Sequence, residues 1–222
     1  MKWIMVFCMV GLLLSCTDSS AEDFKPQFYP DYFTGLETKN ITSYKKAVLD
    51  YDLTSSDGKT AHFRSCMDVE AMKDDSIVAS EYYLLTMLRL NCQALKAFTH
   101  AMDSKKSYLK NIMKGKHIGD LPATAYPYVN DYDRKKRENK KLKNYQKKLN
   151  IKHIDDGSIE VETSTDKLIY QVVARGDFNG DGIEDALIRI DWHVIDAFGK
   201  GSKLVLLTKR SPTAGYQELR MK

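Results

Sequence analysis

The sequence predicts an α+β fold in which a helical N-terminal half precedes an antiparallel β-sheet region. Between residues 74 and 102, apolar side chains recur at steps of three and four, which is the period of an amphipathic helix. After Asn150 apolar and polar side chains alternate, which is the period of a strand. Strands that are grouped after helices favour α+β over an alternating α/β fold.

The chain begins with a secretion signal. Lys2 precedes an unbroken apolar run, residues 3–14, whose length is too small for a stable membrane span. The last two residues of the run and the two that follow it form LLSC, residues 13–16, which resembles the lipobox of bacterial lipoproteins. The resemblance implies that residues 1–15 are removed and that Cys16 becomes the diacylated first residue. Because Thr17 stands where the inner-membrane retention signal has aspartate, it also implies an outer-membrane anchor that faces the periplasm. An ordinary cleaved signal is the alternative.

The mature chain is large enough for a real core. About 200 residues follow the signal, which suits one compact domain or two small ones. Residues 16–23 are mostly small and polar, as in a flexible, lipidated tether. The formal net charge of the whole chain is only +4, which is too weak a bias to imply a nucleic-acid partner.

Four cysteines are present, and their positions separate their fates. Cys8 leaves with the signal and Cys16 carries the lipid, so Cys66 and Cys92 remain. In an oxidising compartment the simplest prediction is one disulfide between these two residues. A free catalytic thiol is the alternative, but such a nucleophile would need its partner cysteine to stay reduced.

Residues 24–150 are predicted to be mainly helical. Residues 24–33, FKPQFYPDYF, are expected to pack on the body as an extended arm, with a recognition strip as the alternative. A helix is predicted over residues 74–102, with Asp74, Asp75 and Ser76 at its start and Cys92 on its apolar stripe. A shorter helix is predicted over residues 104–113, followed by a proline-punctuated connector at 120–130.

Lysine and arginine make up half of residues 133–150. Leu142, Tyr145 and Leu149 give this stretch a narrow apolar stripe, so we expect a short helix that rests lightly on the body with a solvated basic face. Attraction to anionic lipid headgroups or to an acidic protein is the functional alternative.

Residues 151–222 are predicted to form the antiparallel β region. The segments IKHI and SIEVET flank Asp155-Asp156-Gly157, a plausible hairpin turn. Further strand-like segments follow in close succession: LIYQVVA, ALIRIDWHV, KLVLLT and GYQELRM. Short polar turns separate these segments, as expected for antiparallel neighbours.

An aspartate-rich loop, DFNGDGIED, interrupts this β region at residues 177–185. We name residues 177–185 the aspartate loop. Oxygen donors stand at alternating positions: the side chains of Asp177, Asn179, Asp181 and Asp185 and the carbonyl of Ile183. Calcium prefers such a mixture of carboxylate, amide and carbonyl oxygens, and the glycines permit a sharp turn around an ion. A metal-free turn is the alternative, because Asn-Gly and Asp-Gly are also favoured turn dipeptides.

The flanks of the aspartate loop indicate its relatives. Position 12 of an EF-hand supplies a bidentate glutamate, whereas this chain has Ile188, so an EF-hand is excluded. The strand-loop-strand context resembles the calcium loops of FG-GAP and VCBS-type repeats, over about twenty residues and a single copy. The resemblance implies a structural calcium site within the β region and not a propeller.

Catalytic motifs are weak throughout the sequence. The one local constellation is on the strand ALIRIDWHV, where alternation places Ile188, Ile190, Trp192 and Val194 on one face. Arg189, Asp191 and His193 lie on the other face, which we expect to be the solvent-exposed side of the sheet. A contact surface formed by these residues and an acid-base pair of Asp191 and His193 are the alternatives.

These patterns favour a non-enzymatic function, although the sequence leaves catalysis undecided. The expected protein is a lipid-anchored periplasmic binding module with an envelope or toxin protein as its partner, for example an inhibitor or immunity protein. The alternative is an envelope hydrolase that acts on peptidoglycan or lipid, with Asp191 and His193 in its site.

Overall fold

A computed structural model of the protein describes residues 23–38, 41 and 43–221. The signal, the predicted lipid attachment at Cys16 and most of the tether therefore lie outside the described residues. The N-terminal part contains strand β1 (Gln27–Phe28), a hairpin of β2 (Tyr51–Thr54) and β3 (Thr60–Phe63), and helices α1 (Cys66–Ala71) and α2 (Tyr82–Phe98). Short 3-10 turns connect these elements.

The α-helices of residues 114–150 are all short. They are α3 (Gly115–Ile118), α4 (Asp131–Arg137) and α5 (Leu142–Tyr145). The single helix expected within residues 133–150 is therefore two short ones, which a turn separates. Asn139 in this turn has a left-handed φ of 61°, a conformation that ends an α-helix and that asparagine tolerates.

The predicted antiparallel β region is confirmed. It contains β4 (Asn150–Asp155), β5 (Ser158–Glu162), β6 (Asp166–Gly176), β7 (Asp185–Val194), β8 (Lys200–Thr208) and β9 (Gln217–Leu219). These strands follow one another in the sheet in chain order, and β1 adds to β6 as the seventh strand. The turn Asp155-Asp156-Gly157 joins β4 to β5 as predicted, and the aspartate loop joins the antiparallel neighbours β6 and β7.

The prediction of a helical N-terminal half is wrong. Between residues 24 and 150, the part of the chain that the structure describes has one long helix, α2, beside three strands and four short α-helices. The segment 104–113, for which a helix was expected, instead runs along other parts of the chain. Ser104 pairs with Phe24 of the arm, and Lys106 pairs with Ile183 of the aspartate loop. Backbone pairing with distant segments therefore overrides the local helical pattern.

Helix α2 is shorter than the predicted 74–102 helix. Asp74–Ser76 and Ala79–Glu81 form 3-10 turns, and the intervening backbone attaches to the β2–β3 hairpin. Ile77 bridges Ser55, and the Val78 amide donates to the Thr54 carbonyl over 3.0 Å. The predicted apolar stripe is confirmed within α2, where its buried members are Leu85, Leu88, Cys92 and Leu95.

The sheet is covered on both faces. On one face, Ile188 and Ile190 of β7 pack against residues of the connector, among them Leu121 and Tyr126. On the other face, Leu187 packs against α2 through Ala94 and against the arm through Phe28. The rings of Phe28 and Phe98 lie 5.3 Å apart, and Phe28 also contacts the separate core of the N-terminal part. The prediction that the arm packs on the body is therefore confirmed.

The predicted disulfide between Cys66 and Cys92 is present, with the two Cα atoms 5.5 Å apart. It joins the first residue of α1 to the inner face of α2. Ser65 caps α1 through a capping box, in which its hydroxyl accepts from the Asp68 amide and the Asp68 carboxylate accepts from the Ser65 amide. Among the described residues, no helix combines the length and the apolar character that crossing a membrane requires.

Candidate functional site

The aspartate loop is held from outside by the extended segment at residues 102–106. Met102 and Asp177 exchange two backbone hydrogen bonds of 3.0 Å. The Lys105 amide donates to the Gly182 carbonyl over 2.8 Å, and the Glu184 amide donates to the Lys106 carbonyl over 2.8 Å. The loop is thus fixed at both ends and in its middle, so its shape is set by tertiary contacts as well as by its own turn residues.

Two glycines give the loop its sharp turns. Gly180 has a φ of 86° and Gly182 a φ of 77°, both in the left-handed region that side chains disfavour. A Cβ added to Gly180 would also lie 3.2 Å from the Cε atom of Met102. The prediction that glycine permits the turn is confirmed at both positions.

Asp177 closes the loop through its carboxylate, which is almost completely buried. One oxygen accepts from the amides of Asn179 (3.2 Å) and Gly180 (2.7 Å), and the other accepts from the Gly182 amide (2.7 Å). Three N–H groups therefore surround one negative charge, and such hydrogen bonds compensate a buried carboxylate without a cation.

Asn179 and Asp181 lie on the exposed side of the loop. Asn179 Oδ1 accepts from the Asp181 amide, and Asp181 Oδ1 accepts from the Ile183 amide, both over 2.9 Å. These side chains stabilise successive turns of the backbone. Their remaining oxygen lone pairs are accessible from solvent.

Asp185 is fully buried at the start of β7. Its Oδ2 accepts from the Phe178 amide (3.2 Å) and from Asn179 Nδ2 (3.1 Å), so the carboxylate faces the loop. Its Oδ1 has no well-formed hydrogen bond among the described residues, but the hydroxyl of Thr208, its pairing partner on β8, lies close enough to lower the pKa of the carboxyl. Burial raises the pKa of Asp185 to about 6, although hydrogen bonds from the Thr208 hydroxyl and the Phe178 amide lower it. The charges of Asp181 and Asp177 contribute smaller increases. A cation or a proton at this oxygen would remove the cost of the unpaired charge.

The donor set of the loop is chemically suited to calcium, since it offers carboxylate, amide and carbonyl oxygens and no sulfur or imidazole. In the conformation described, the carboxylates of Asp177 and Asp181 accept from amides of the loop itself. No group of three or more His, Cys, Asp and Glu side chains converges on one point in the described part of the chain. The set of Asp177, Asn179, Asp181, Ile183 and Asp185 therefore remains a prediction of a calcium site.

Glu184 is a buried residue of this loop that sequence reasoning missed. Its carboxylate accepts from the Ser107 hydroxyl over 2.6 Å and lies 3.4 Å from Arg175 Nη1. The bond from Ser107 attaches the segment at residues 102–107 to the loop, and the ion pair with Arg175 attaches the loop to β6. No local signal in the sequence distinguishes Glu184 from the neighbouring loop acids, because its partner Ser107 is distant in the chain.

The expected wet face of β7 is wrong at Arg189. This guanidinium is buried beneath α2, where it donates to the Tyr32 carbonyl (2.6 Å), Asn91 Oδ1 (2.5 Å) and Gln171 Oε1 (2.6 Å). Its Nε donates to Asp191 over 2.9 Å. The physical reason is that α2 covers this face of the sheet, so Arg189 joins the arm, the helix and the strands instead of presenting a contact surface.

Asp191 and His193 are placed differently from Arg189. One oxygen of the half-buried Asp191 accepts from Arg189, and the other accepts from the Ser202 hydroxyl over 2.6 Å. His193 is exposed near the end of β7. The carboxylate is therefore occupied by structural hydrogen bonds, which favours a positioning role for Asp191 over a part in acid-base chemistry.

The basic stretch forms an exposed surface that is held by a buried arginine. We name this surface the lysine surface. Its exposed members are Lys135, Lys136, Lys140, Lys141, Lys143, Lys147 and Lys148. Arg137 lies beneath it and packs against the rings of Tyr126 and Tyr145, 5.3 Å and 4.5 Å from their centroids. It pairs with Asp133 and donates to the carbonyls of Tyr126 and Pro127. These bonds keep the pKa of Asp133 below its usual value.

A cleft of about 910 Å³ adjoins the lysine surface, between α4 on one side and β8 and β9 on the other. Thr124, Tyr128, Arg134 and Glu218 are among its wall residues. Behind this wall the Lys203 ammonium donates to the Thr124 carbonyl and lies 4.2 Å from the Tyr128 ring centroid. Burial lowers the pKa of Lys203 to about 8. A second cavity of about 680 Å³ lies near Tyr32 and His153, and neither cavity is lined by Asp191 or His193.

Comparisons of this chain with protein-family models, with curated proteins and with solved structures find no match.

Proposed function

We propose that this protein is a lipid-anchored periplasmic interaction module whose lysine surface binds an acidic partner protein. The observation that carries the proposal is the way Arg137 holds this surface. A basic stretch that serves only solubility needs no buried guanidinium beneath it. Here Arg137 donates to the Tyr126 carbonyl and packs against the rings of Tyr126 and Tyr145. These contacts hold α4 beside the connector.

An ordered backbone beneath the lysines distinguishes a binding surface from a merely solvated one. Lysines close together repel one another, and this repulsion destabilises the folded chain. A partner that supplies carboxylates would remove the repulsion and would meet side chains whose backbone is already ordered. Such a surface loses less conformational entropy on binding and attracts its partner over a distance.

The concrete version of this proposal is an inhibitor or immunity protein that blocks a toxin in the periplasm. Such a protein needs an anchor, a stable body and a charged surface, and it needs no catalytic residues. The lipobox at residues 13–16 supplies the anchor, and the disulfide and the arm stabilise the body.

The test is partner capture with matched charge variants of the full mature protein. The wild type, a Lys135→Glu/Lys136→Glu/Lys140→Glu variant and a Lys152→Glu control would be incubated with envelope extract from the source cells. Lys152 is an exposed lysine of β4 outside the lysine surface. We expect the wild type and the control to retain the same acidic protein, which the triple variant loses. Equal retention by all three proteins would contradict the proposal, and binding to anionic lipid vesicles alone would assign the surface to the membrane.

We also propose that the aspartate loop binds calcium in a structural role. The support is the buried Asp185 carboxylate, whose pKa is raised by burial and whose Oδ1 lacks a well-formed hydrogen bond in the described structure, together with the accessible oxygens of Asn179 and Asp181 on the same loop. Thermal unfolding of the mature protein would be measured with calcium and with chelator, beside the Asp181→Ala variant and an Asp156→Ala control from the β4–β5 turn. A melting temperature raised by calcium in the wild type and the control, but not in Asp181→Ala, is expected. Equal melting temperatures with calcium and chelator would mean that the loop is a metal-free turn.

A further inference from the structure

The outer edge of β8 carries an inference that rests on the proposed function and specifies how the partner binds. Along its whole length β8 pairs with β7 on its inner side. On its outer side β9 pairs only with Leu206, Leu207 and Thr208. Within the described residues, no strand covers the outer edge at residues 200–205, so alternate N–H and C=O groups there lack a strand partner.

The cleft reaches this open edge at its end beside β9. Leu204 and Val205 both line the cleft, yet their side chains belong to clusters on opposite faces of the sheet. Successive side chains of a strand point to opposite faces, so the feature that both residues share along the cleft is the strand edge itself. The cleft therefore meets the open edge at Leu204 and Val205, beside Arg220 and Met221, which follow β9 in the chain.

Two polar atoms in the cleft walls lack partners in the described structure. Arg134 Nε is a buried donor and Glu218 Oε2 is a buried acceptor, and neither has a hydrogen bond. Arg134 comes from α4 and Glu218 from β9, so the two atoms flank the cleft from opposite sides. A ligand with both donors and acceptors, such as a polypeptide backbone, would satisfy an arginine and a glutamate at once.

The charge of the cleft selects the side chains of such a ligand. Arg134, Lys140, Lys141 and Arg220 line the cleft, against Asp120, Glu138 and Glu218. Asp120 is already paired with Lys141 at 3.0 Å and with Lys143 at 2.8 Å. The excess of positive charge continues into the lysine surface beside the cleft, so an acidic segment is favoured over a neutral or basic one.

We propose that an extended, acidic segment of the partner protein adds as a strand to the open edge of β8 and enters the cleft between α4 and β9 at Leu204 and Val205. Backbone hydrogen bonds to residues 200–205 hold the segment, and carboxylates on its alternate residues meet Arg134, Lys140 and Arg220. This is strand addition to an existing sheet, in which main-chain bonds supply affinity and the basic wall supplies selectivity.

The probe is a fluorescein-labelled peptide of about eight residues that alternates glutamate and valine, since a strand of this length spans the open edge. Its binding to the mature protein would be followed by fluorescence anisotropy, and amide hydrogen exchange would be measured in the same mixture. Three controls are a peptide of D-residues, a peptide with lysine in place of glutamate, and a Lys152→Gln variant. The test variants are Arg134→Gln and, for the more exposed side of the cleft, Arg220→Gln.

We expect the L-peptide to bind, and each test variant to weaken it about tenfold, whereas Lys152→Gln leaves binding unchanged. The amides at residues 200–205 should exchange about tenfold more slowly when the peptide is bound. Equal binding of the D-peptide, or binding without protection of these amides, would show charge attraction only and would overturn strand addition.

The remaining outcomes also decide the question. Protection of the same amides in the free protein that grows with protein concentration would mean that a second copy covers the edge. Protection that is independent of concentration would mean that the chain covers its own edge. No binding of the acidic peptide would refute the cleft as the docking site. The proposed function would still stand if the envelope extract supplies a partner that depends on the lysine surface.

Discussion

Asp185 and Arg189 are buried charged residues on the same strand, and their charges are compensated differently. Arg189 donates to four separate groups, so most of its N–H donors have partners. Asp185 accepts from the loop with one oxygen only, and its other oxygen lies near the Thr208 hydroxyl without a well-formed hydrogen bond among the described atoms. A buried charge is tolerable when its hydrogen bonds are complete and is costly when one is missing. Arg189 is therefore expected to support the fold, and Asp185 to strain it when no cation is bound.

Substitution of Asp185 by asparagine should stabilise the calcium-free protein at neutral pH. The folded pKa of Asp185, about 6, is raised above its ordinary value of 3.8. The folded carboxyl thus holds its proton more tightly, and its cost appears as pH rises from about 4 through 6. In chelator, Asp185→Asn should gain on the order of 2 kcal/mol relative to wild type between about pH 4.5 and pH 7.5.

Urea unfolding of both proteins at the two pH values measures this gain, with Asp156→Asn in the exposed β4–β5 turn as the control. A difference between wild type and Asp185→Asn that is the same at both pH values would show that the carboxyl is not strained. Calcium should reduce the advantage of the variant, because the proposed ion would use the charge of Asp185.

Truncation of Arg189 should destabilise the protein strongly. Arg189→Met would leave the Tyr32 carbonyl, the Asn91 amide oxygen and the Asp191 carboxylate without their donor. Removal of one partner from a buried charge network costs about 3–5 kcal/mol. Urea unfolding at neutral pH, with the exposed Lys152→Met as control, checks this value. A loss below about 1 kcal/mol would mean that water replaces the guanidinium at this site.

Helix α2 is the element on which the N-terminal part and the sheet both pack. Leu85, Leu88 and Leu95 face the N-terminal core, whereas Ala94 faces Leu187 on the sheet. The small side chain of Ala94 lets the helix approach the strands closely. Alanine has no χ1 rotamers, so its burial costs no side-chain entropy. The disulfide to α1 fixes the same helix from the other side.

Loss of the disulfide should destabilise the fold moderately. The two cysteines are 26 positions apart, and closure of a loop of this size contributes about 3 kcal/mol by restricting the unfolded chain. Cys66→Ala/Cys92→Ala should lose this amount in urea unfolding, and reduced wild type should match the variant. Both cysteines are buried, so alanine leaves no unpaired polar group. An unchanged free energy of unfolding would show that α1 docks without the covalent link.

The sheet lies between two layers, and some residues that pack on the sheet also pack on the core of the N-terminal part. The connector covers one face of the sheet, and α2 with the arm covers the other. Phe28 and Phe98 contact both the core of the N-terminal part and the cluster on the sheet. Because these residues belong to two clusters at once, neither cluster is complete when the other is unfolded.

The protein should therefore unfold as one cooperative unit. Trp192 lies at the sheet and is the sole tryptophan that remains after the predicted loss of Trp3 with the signal, so its fluorescence reports on the sheet. Far-ultraviolet circular dichroism near 222 nm reports chiefly on α2. The two probes should give coincident urea transitions. Separate midpoints would show that the N-terminal part unfolds independently of the sheet.

Local patterns and tertiary packing decided different features of this protein. The strands after Asn150, the stripe of α2, the cysteine pair and the glycine turns of the aspartate loop were readable from the sequence, since each depends on a local period, a turn residue or a count. Tertiary structure alone decided that the segment at residues 102–107 runs beside the aspartate loop and that α2 covers Arg189. A polar residue on an alternating strand is identical in sequence whether water or a helix covers it. The covering element is far away in the chain, so only the folded packing determines which one applies.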